Sequence, residues 1–219
     1  MQAQSEILKY YEREGAVWFY DYNGDPKAPH AKLTSGLCSD GYVNSAPMLC
    51  QPQLTELLAL ELRAKLGHSL GRVDWVVGSP YAAITFSYEL ARQLDARHGF
   101  AEKDPKNPKQ MLWNPSRFPI PADAVVLQCE ELITTLGTTL EVREAITKGN
   151  PNPVHLLPVV AAAVYRPAHF GDCDPVTVVA LIEREVKSWK PEECPLCKQG
   201  SEPLRPREGQ NWARLTSKA

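Results

Sequence analysis

No apolar run in the sequence approaches membrane-spanning length: the longest, Val159 to Val164, is far short of the ~20 residues such a helix needs. The first twenty residues carry Glu6, Glu12 and Glu14 around no apolar core, so the pattern of a secretory leader is missing too. The expectation is a cytoplasmic protein with no membrane partner. Charge of either sign is not in excess, since 24 Lys+Arg face 26 Asp+Glu for a formal net charge of -2. That balance excludes a polybasic role and predicts no bulk attraction to nucleic acid. Cysteine is sparse and scattered, six residues at 38, 50, 129, 173, 194 and 197 with only the last pair close. A 219-residue chain that is 43% apolar has core enough to fold without disulfides, so the thiols are expected to be reduced. There is no internal repeat, and the prolines cluster where they punctuate elements.

What is present is alternation. Ser5 to about Tyr11 reads as a short helix with Ser5 as its cap. Leu54, Leu57, Leu58, Leu62 and Leu66 recur at helical spacing up to Gly67, a glycine stop. Val73 to Val77 is a short apolar strand followed by Gly78-Ser79-Pro80, and Ile84, Tyr88, Ala91 and Leu94 mark a helix closing near Gly99. Ala124 to Leu127 is a second such strand, and after a polar segment Val142, Ala145 and Ile146 lie on a helix ending at Gly149. Val154 to Val164 and Val176 to Ile182 add two strands too uniformly apolar to have a wet face. Strands of this kind alternating with helices predict an α/β fold with an open parallel sheet flanked by helices, whose ligands bind at the carboxyl ends of the strands. The segments 78 to 83 and 128 to 138 are therefore where chemistry is expected.

The second segment is the more informative. Two acids, Glu130 and Glu131, precede Thr134, Thr135, Gly137, Thr138 and Thr139 between a buried strand and a helix start. Free amides at a helix N-terminus, ringed by threonine hydroxyls, make a cradle for a phosphate. Carboxylates one step upstream accept hydrogen bonds from sugar hydroxyls and would repel a phosphate seated on them. The order along the chain thus suggests a ribose and then its phosphate. The plainer alternative is that Thr138 and Glu141 form a capping box and the acids a solvated loop.

Glu130-Glu131-Leu132-Ile133-Thr134-Thr135-Leu136-Gly137-Thr138 resembles the phosphoribosyl diphosphate signature of the type I phosphoribosyltransferases: two acids, two apolar residues, then Thr-Thr-Gly-Gly-Ser or similar. This family usually has aspartate at one or both acidic positions, and Leu136 stands where it usually has glycine. Other stretches resemble the orotate branch. Leu33-Thr34-Ser35-Gly36, Ser39 and Tyr42-Val43-Asn44 follow its Leu-Lys-Ser-Gly and Ser-x-x-Tyr-x-Asn, with Thr34 in place of lysine. Gly78-Ser79-Pro80-Tyr81-Ala82-Ala83-Ile84 is similar to its diphosphate loop, Gly-Pro-Ala-Tyr-Lys-Gly-Ile, with Ala82 in place of lysine. Val159 to Arg166 looks like the strand ending in an Asp-Arg pair that contacts the pyrimidine, with Tyr165 in place of the acid. The segment from Glu102 to Asn114, with Lys103, Lys106 and Lys109, resembles the family's mobile catalytic loop.

The resemblance runs from about Gly15 to Ile182. It implies the type I phosphoribosyltransferase fold over residues 1–188, with a small hood from the N-terminal segment, followed by a C-terminal tail, 189–219. It implies an enzyme joining a free base, orotate first, to phosphoribosyl diphosphate with release of diphosphate, Mg²⁺ being carried on the substrate diphosphate. Glu130 and Glu131 would hold ribose hydroxyls, Thr134 to Thr139 the 5′-phosphate, Tyr81 and the three lysines the diphosphate, and Arg166 the base; Ser79 and Ser35 would join the substrate-binding residues, and Lys103, Lys106, Lys109 and Glu131 would be the catalytic ones. A neighbouring subunit would lend the lysine loop, hence a homodimer. The competing reading is a non-catalytic sensor of phosphoribosyl diphosphate that keeps the fold, which Thr34, Ala82 and Leu136 favour.

One motif lies outside this scheme. Cys194-Pro195-Leu196-Cys197 has the spacing of half a zinc site, but a structural zinc takes four ligands and the remaining candidates, Cys173 and His169, form no second tight pair. The alternative is a tight turn with two free thiols, followed by a tail with Trp212 as its large anchor.

Overall fold

A computed structural model describes residues 2–21, 24–67, 70–108, 110–171 and 176–217. The chain begins with helix α1 (Gln4–Arg13), whose first turn is closed by the Glu6 carboxylate accepting the Ala3 N–H. Ser5 lies inside this helix and is not its cap. Short strands follow: β1 (Val17–Phe19), β2 (His30–Lys32), β3 (Cys38–Ser39) and β4 (Gly41–Val43), then α2 (Ala46–Leu49) and α3 (Pro52–Leu66). Pro52 at the first position and Gly67 at φ 68° bound α3, as the leucine spacing predicts.

Next come β5 (Trp75–Gly78), α4 (Ala83–Gln93) and β6 (Arg97–Phe100). The helix expected to run on to Gly99 stops at Gln93, where Asp95 takes φ 54° and turns the chain into a strand that pairs in parallel with β5. A hairpin, β7 (Glu102–Lys103) and β8 (Met111–Leu112), leads to β9 (Val125–Ile133), α5 (Gly137–Gly149), β10 (His155–Tyr165) and β11 (Thr177–Glu183). The chain ends with β12 (Ser188–Trp189), α6 (Pro195–Lys198), β13 (Pro203–Leu204) and α7 (Asn211–Thr216).

The central sheet has the order β11-β10-β9-β5-β6 with every pairing parallel. Its β10 carries an irregularity between Leu156 and Val160, at Pro158, which has no N–H for the ladder. The period of two divides the central strands between two cores. Val76, Leu127 and Cys129 face α1, α3 and α4. Trp75, Val77 and Val126 face Val142, Ala145 and Ile146 of α5, with Met111 and Trp113 closing that core. Because β5 leads outward to β6 while β9 leads to β10 on the other side, the order reverses between β5 and β9. An open α/β sheet makes its crevice at such a point.

The hood is a second sheet, order β12-β3-β2-β13, beside the antiparallel pair β1–β4. The segment from Ser188 onward thus supplies two of its four strands. Leu204 and Leu215 are buried with Trp18 and Ala31, and the Trp18 Nε1–H donates to Leu215 O at 2.7 Å. Trp212 stacks edge-on against Tyr42, 6.0 Å between centroids. No described helix is long and apolar enough to cross a membrane.

Candidate functional site

The crevice between the ends of β5 and β9 holds a cavity of about 200 Å³. One wall is the loop after Gly78, with Ser79, Pro80 and Ala82; the other is Glu130 to Leu132 and the threonine turn. Gly78 permits this geometry, because a Cβ there would meet Ser87 Oγ of α4 at 2.3 Å. Glycine lets α4 begin tight against the strand, which aims the loop back over β9.

The sequence places the acids in a loop; the structure places them on the strand. Strand β9 continues through Glu130 and Glu131 to Ile133, paired with β10. The period of two then sends the two side chains to opposite faces. Glu130, 4% exposed, accepts a short hydrogen bond from the Ser79 hydroxyl and another, 2.8 Å, from Gln128 Nε2, which also reaches Thr139 O at 3.2 Å. Burial pushes the Glu130 carboxyl up to about 7; those two hydrogen bonds oppose the rise and the nearby Glu131 charge adds to it.

Glu131 turns toward the hood. Burial raises its carboxyl as well, opposed by the Ser45 hydroxyl and by Arg166. The Arg166 guanidinium is lowered by burial, against the charges of Glu131 and Asp40. Its backbone N–H donates to Ile133 O at 2.8 Å, which ties the end of β10 to the end of β9. Glu131 Oε2 and Arg166 Nε are buried with no hydrogen-bond partner, so an unsatisfied acceptor and an unsatisfied donor each stand open to an incoming group.

Beyond β9 the chain turns into α5. Its first helical hydrogen bond at this end is Leu140 N–H to Leu136 O, 2.8 Å, so the amides of the first turn point out of the helix between Thr134, Thr135, Thr138 and Thr139. No side-chain capping bond occurs at this end, which removes the capping-box alternative for Thr138 and Glu141. Leu136 has φ -81° and ψ 2°, ordinary backbone for leucine, and its side chain packs with Ile133, Val160 and Tyr165. A leucine at this glycine position therefore carries no backbone strain.

The remaining sequence-predicted residues are spread around the opening. Tyr81 is 73% exposed, the Pro80–Tyr81 peptide is cis, and Lys103 Nζ lies 5.6 Å from the Tyr81 ring centroid. Lys103 and Lys106 are exposed on the β7–β8 hairpin, and Lys109 lies outside the described residues. Ser35 is exposed at the tip of the β2–β3 hairpin, away from the cavity walls. Cys194 and Cys197 meet His30 and Cys38; of the partners the sequence offers, His169 is exposed elsewhere and Cys173 lies outside the described residues. Sequence reasoning passes over Ser45, Asp40 and Gln128, and for Gln128 alone the signal was available: a polar residue in an apolar strand, two positions before an acid.

An acid pair running into a threonine turn could hold a sugar and its phosphate, and chains of related sequence carry names of matching chemistry. No protein-family model matches the chain. The orotate phosphoribosyltransferase of Heliobacterium modesticaldum is 35% identical over 180 residues, 81% of this chain and 88% of that protein. That of Pelotomaculum thermopropionicum is 34% identical over 195 residues, 89% of this chain and 96% of its own. In structure, the orotate phosphoribosyltransferase of Aeropyrum pernix superimposes with a TM-score of 0.57 over 81% of this chain and 93% of its own, at 18% identity, a likeness of fold. Identity of this extent over nearly the whole length shows that the chain belongs to the orotate phosphoribosyltransferase family.

Proposed function

We propose that the protein transfers the phosphoribosyl group of phosphoribosyl diphosphate to orotate, giving a nucleoside 5′-monophosphate and diphosphate. The observation that carries this reading is the acid pair at the end of β9 running directly into the threonine turn, across from the Ser79 loop. The 5′-phosphate would sit on the first-turn amides of α5 and the hydroxyls of Thr134, Thr135, Thr138 and Thr139, and the ribose hydroxyls would donate to Glu130 and Glu131. Diphosphate would leave toward Ser79, Tyr81 and the lysines at 103, 106 and 109. The C1′–O bond to diphosphate would break as the C1′–N bond to the base forms, and the proton of the base nitrogen would pass to the departing diphosphate. Positive charge spreads over the sugar in between, and a carboxylate held beside it in a drier environment favours that state. Arg166 would pair with the orotate carboxylate through its planar fork.

Mg²⁺ enters this scheme on the diphosphate. The carboxylate and hydroxyl oxygens at the cavity are hard donors of the kind it accepts, and bound there it would neutralise the departing group. With lysine missing at Thr34 and Ala82, cationic help for diphosphate falls to that ion and to the hairpin lysines. A homodimer, one subunit lending its lysine loop to the other, and a cytoplasmic location are part of this proposal. A sensor reading keeps two of its supports, Thr34 and Ala82, and loses Leu136, whose backbone is unstrained.

The test is turnover with Mg²⁺, phosphoribosyl diphosphate and a panel of orotate, uracil and purines, read as diphosphate release. Release with orotate above all others is expected. Binding of phosphoribosyl diphosphate without release for any base would overturn the enzyme in favour of the sensor.

A further inference from the structure

Four side chains of metal-binding type meet where the hood's hairpin touches the C-terminal segment. His30 and Cys38 come from β2 and β3. Cys38 pairs across the hairpin with Lys32, and Lys32 lies two residues from His30, so the strand period puts His30 and Cys38 on one face. Cys194 and Cys197 come from the opening turn of α6. His30, Cys38 and Cys194 are fully buried, and Cys197 partly so.

The four ligand atoms all lie within 4.8 Å of one another. Cys38 Sγ is 3.7 Å from Cys197 Sγ, and His30 Nε2 is 3.6 Å from Cys194 Sγ and 3.5 Å from Cys197 Sγ. A regular tetrahedron about zinc, with Zn–S of about 2.3 Å and Zn–N of about 2.0–2.1 Å, sets its sulfurs about 3.8 Å apart and sulfur from nitrogen about 3.5–3.6 Å. The three separations given have that size, and every other pair lies within 4.8 Å. A disulfide would need the sulfurs at about 2.05 Å.

The surroundings prepare the histidine. The Ser201 hydroxyl donates to Ala28 O at 2.6 Å, so its lone pair is what faces His30 Nδ1 at 2.7 Å. Nδ1 therefore carries the proton and Nε2 turns a free lone pair toward the three sulfurs. A hydrogen-bond acceptor behind a ligating histidine fixes its tautomer in this way. Lys32, close enough to act on Cys197 electrostatically, offsets the net negative charge of three thiolates around one divalent ion.

We propose that His30, Cys38, Cys194 and Cys197 bind one Zn²⁺ ion that fastens the β2–β3 hairpin to the C-terminal segment. Three soft sulfurs and an imidazole in tetrahedral disposition suit zinc, and four protein ligands leave no open position, so the site is structural. It joins residues 159 apart in sequence, Cys38 and Cys197, at the base of the hairpin whose tip carries Thr34 and Ser35. Binding releases the three thiol protons and changes no oxidation state.

The full chain, produced with zinc in the medium and freed of loose metal by gel filtration, should contain one zinc per chain by elemental analysis. Exchange to Co²⁺ should give the strong visible absorption and thiolate charge-transfer bands of a tetrahedral site. Cys50→Ser, at an exposed cysteine outside the cluster, should keep the full complement. Ser201→Ala, which removes no ligand, should weaken zinc binding by about 10–100-fold in competition with a chelator. His30→Ala and Cys197→Ser should lose the metal. Wild-type protein that stays largely metal-free after zinc loading, a Cys38–Cys197 disulfide in the freshly isolated chain, or iron in place of zinc would overturn the proposal without reliance on variants that fail to fold.

Discussion

Replacing Glu130 with glutamine separates what the acid does to the fold from what it does for a ligand. Burial lifts this carboxyl from 4.5 to about 7, so the folded chain resists the charged form more than the unfolded chain does. Below about 4.5 the acid is protonated in both states. As the pH rises the unfolded chain ionises first, so stability falls through the window from about 4.5 to about 7 and then levels off. The gap corresponds to roughly 3 kcal/mol in full, and to about 2–3 kcal/mol between pH 5 and pH 8. Glutamine keeps the shape and can meet Ser79 and Gln128 without a charge. Urea unfolding should therefore show Glu130→Gln close to wild type at pH 5 and more stable by about 2 kcal/mol at pH 8. Binding should move the other way. Ribose hydroxyls favour the ionised acid, so wild-type affinity for phosphoribosyl diphosphate should gain up to about tenfold between pH 6 and pH 8, a gain absent in the variant. Parallel stability profiles for the two proteins across this range would rule out a raised Glu130 carboxyl, because Glu130 would then titrate as an ordinary surface carboxylate.

Arg166→Ala should raise the KM for orotate by roughly 10–100-fold, as expected for a lost charge-assisted hydrogen bond, with a smaller change for phosphoribosyl diphosphate; steady-state kinetics with each substrate varied would show it, and equal effects on both would contradict the assignment. Glu131→Gln should lower kcat on the order of 10²-fold, checked in the same assay, and unchanged turnover would remove Glu131 from the reacting centre. Gly78→Ala should cost about 1–3 kcal/mol from overpacking against Ser87, partly recovered in Gly78→Ala/Ser87→Ala; chemical denaturation decides it, and no loss in the single variant would mean that α4 is free to shift. Leu136→Gly should cost about 2–5 kcal/mol through the cavity it leaves and bring no gain in phosphate affinity, whereas tighter binding at unchanged stability would revive the idea that leucine strains the turn.

The parts of the fold with strong periodicity were legible in the sequence: the leucine face of α3, the apolar runs of β5 and the first half of β9, and the helix after the threonine turn. Strand β6 was hidden because Arg97-His98-Gly99-Phe100 has neither alternation nor an apolar run, being an edge strand held by pairing with β5. The continuation of β9 through Glu130 and Glu131 was hidden for a related reason: adjacent charges read as loop unless a ligand site accounts for their burial. The acids and threonines could be singled out as a candidate site because local order along the chain brings them together. The partners of Cys194 and Cys197 had no such signal, since His30 and Cys38 reach them through a hood sheet whose C-terminal strands are two residues each. Ser45 and Asp40 belong to the same class of contact, made by the hood folding over the sheet.

A structure of the protein with Mg²⁺ and phosphoribosyl diphosphate decides whether the threonine turn and the acid pair hold this substrate. The 5′-phosphate is expected on the amides of Gly137 to Thr139 among the threonine hydroxyls, with the ribose hydroxyls on Glu130 and Glu131 and the diphosphate toward Ser79 and Tyr81. A 5′-phosphate bound elsewhere, or a diphosphate seated in the threonine turn with the acids untouched, would contradict it.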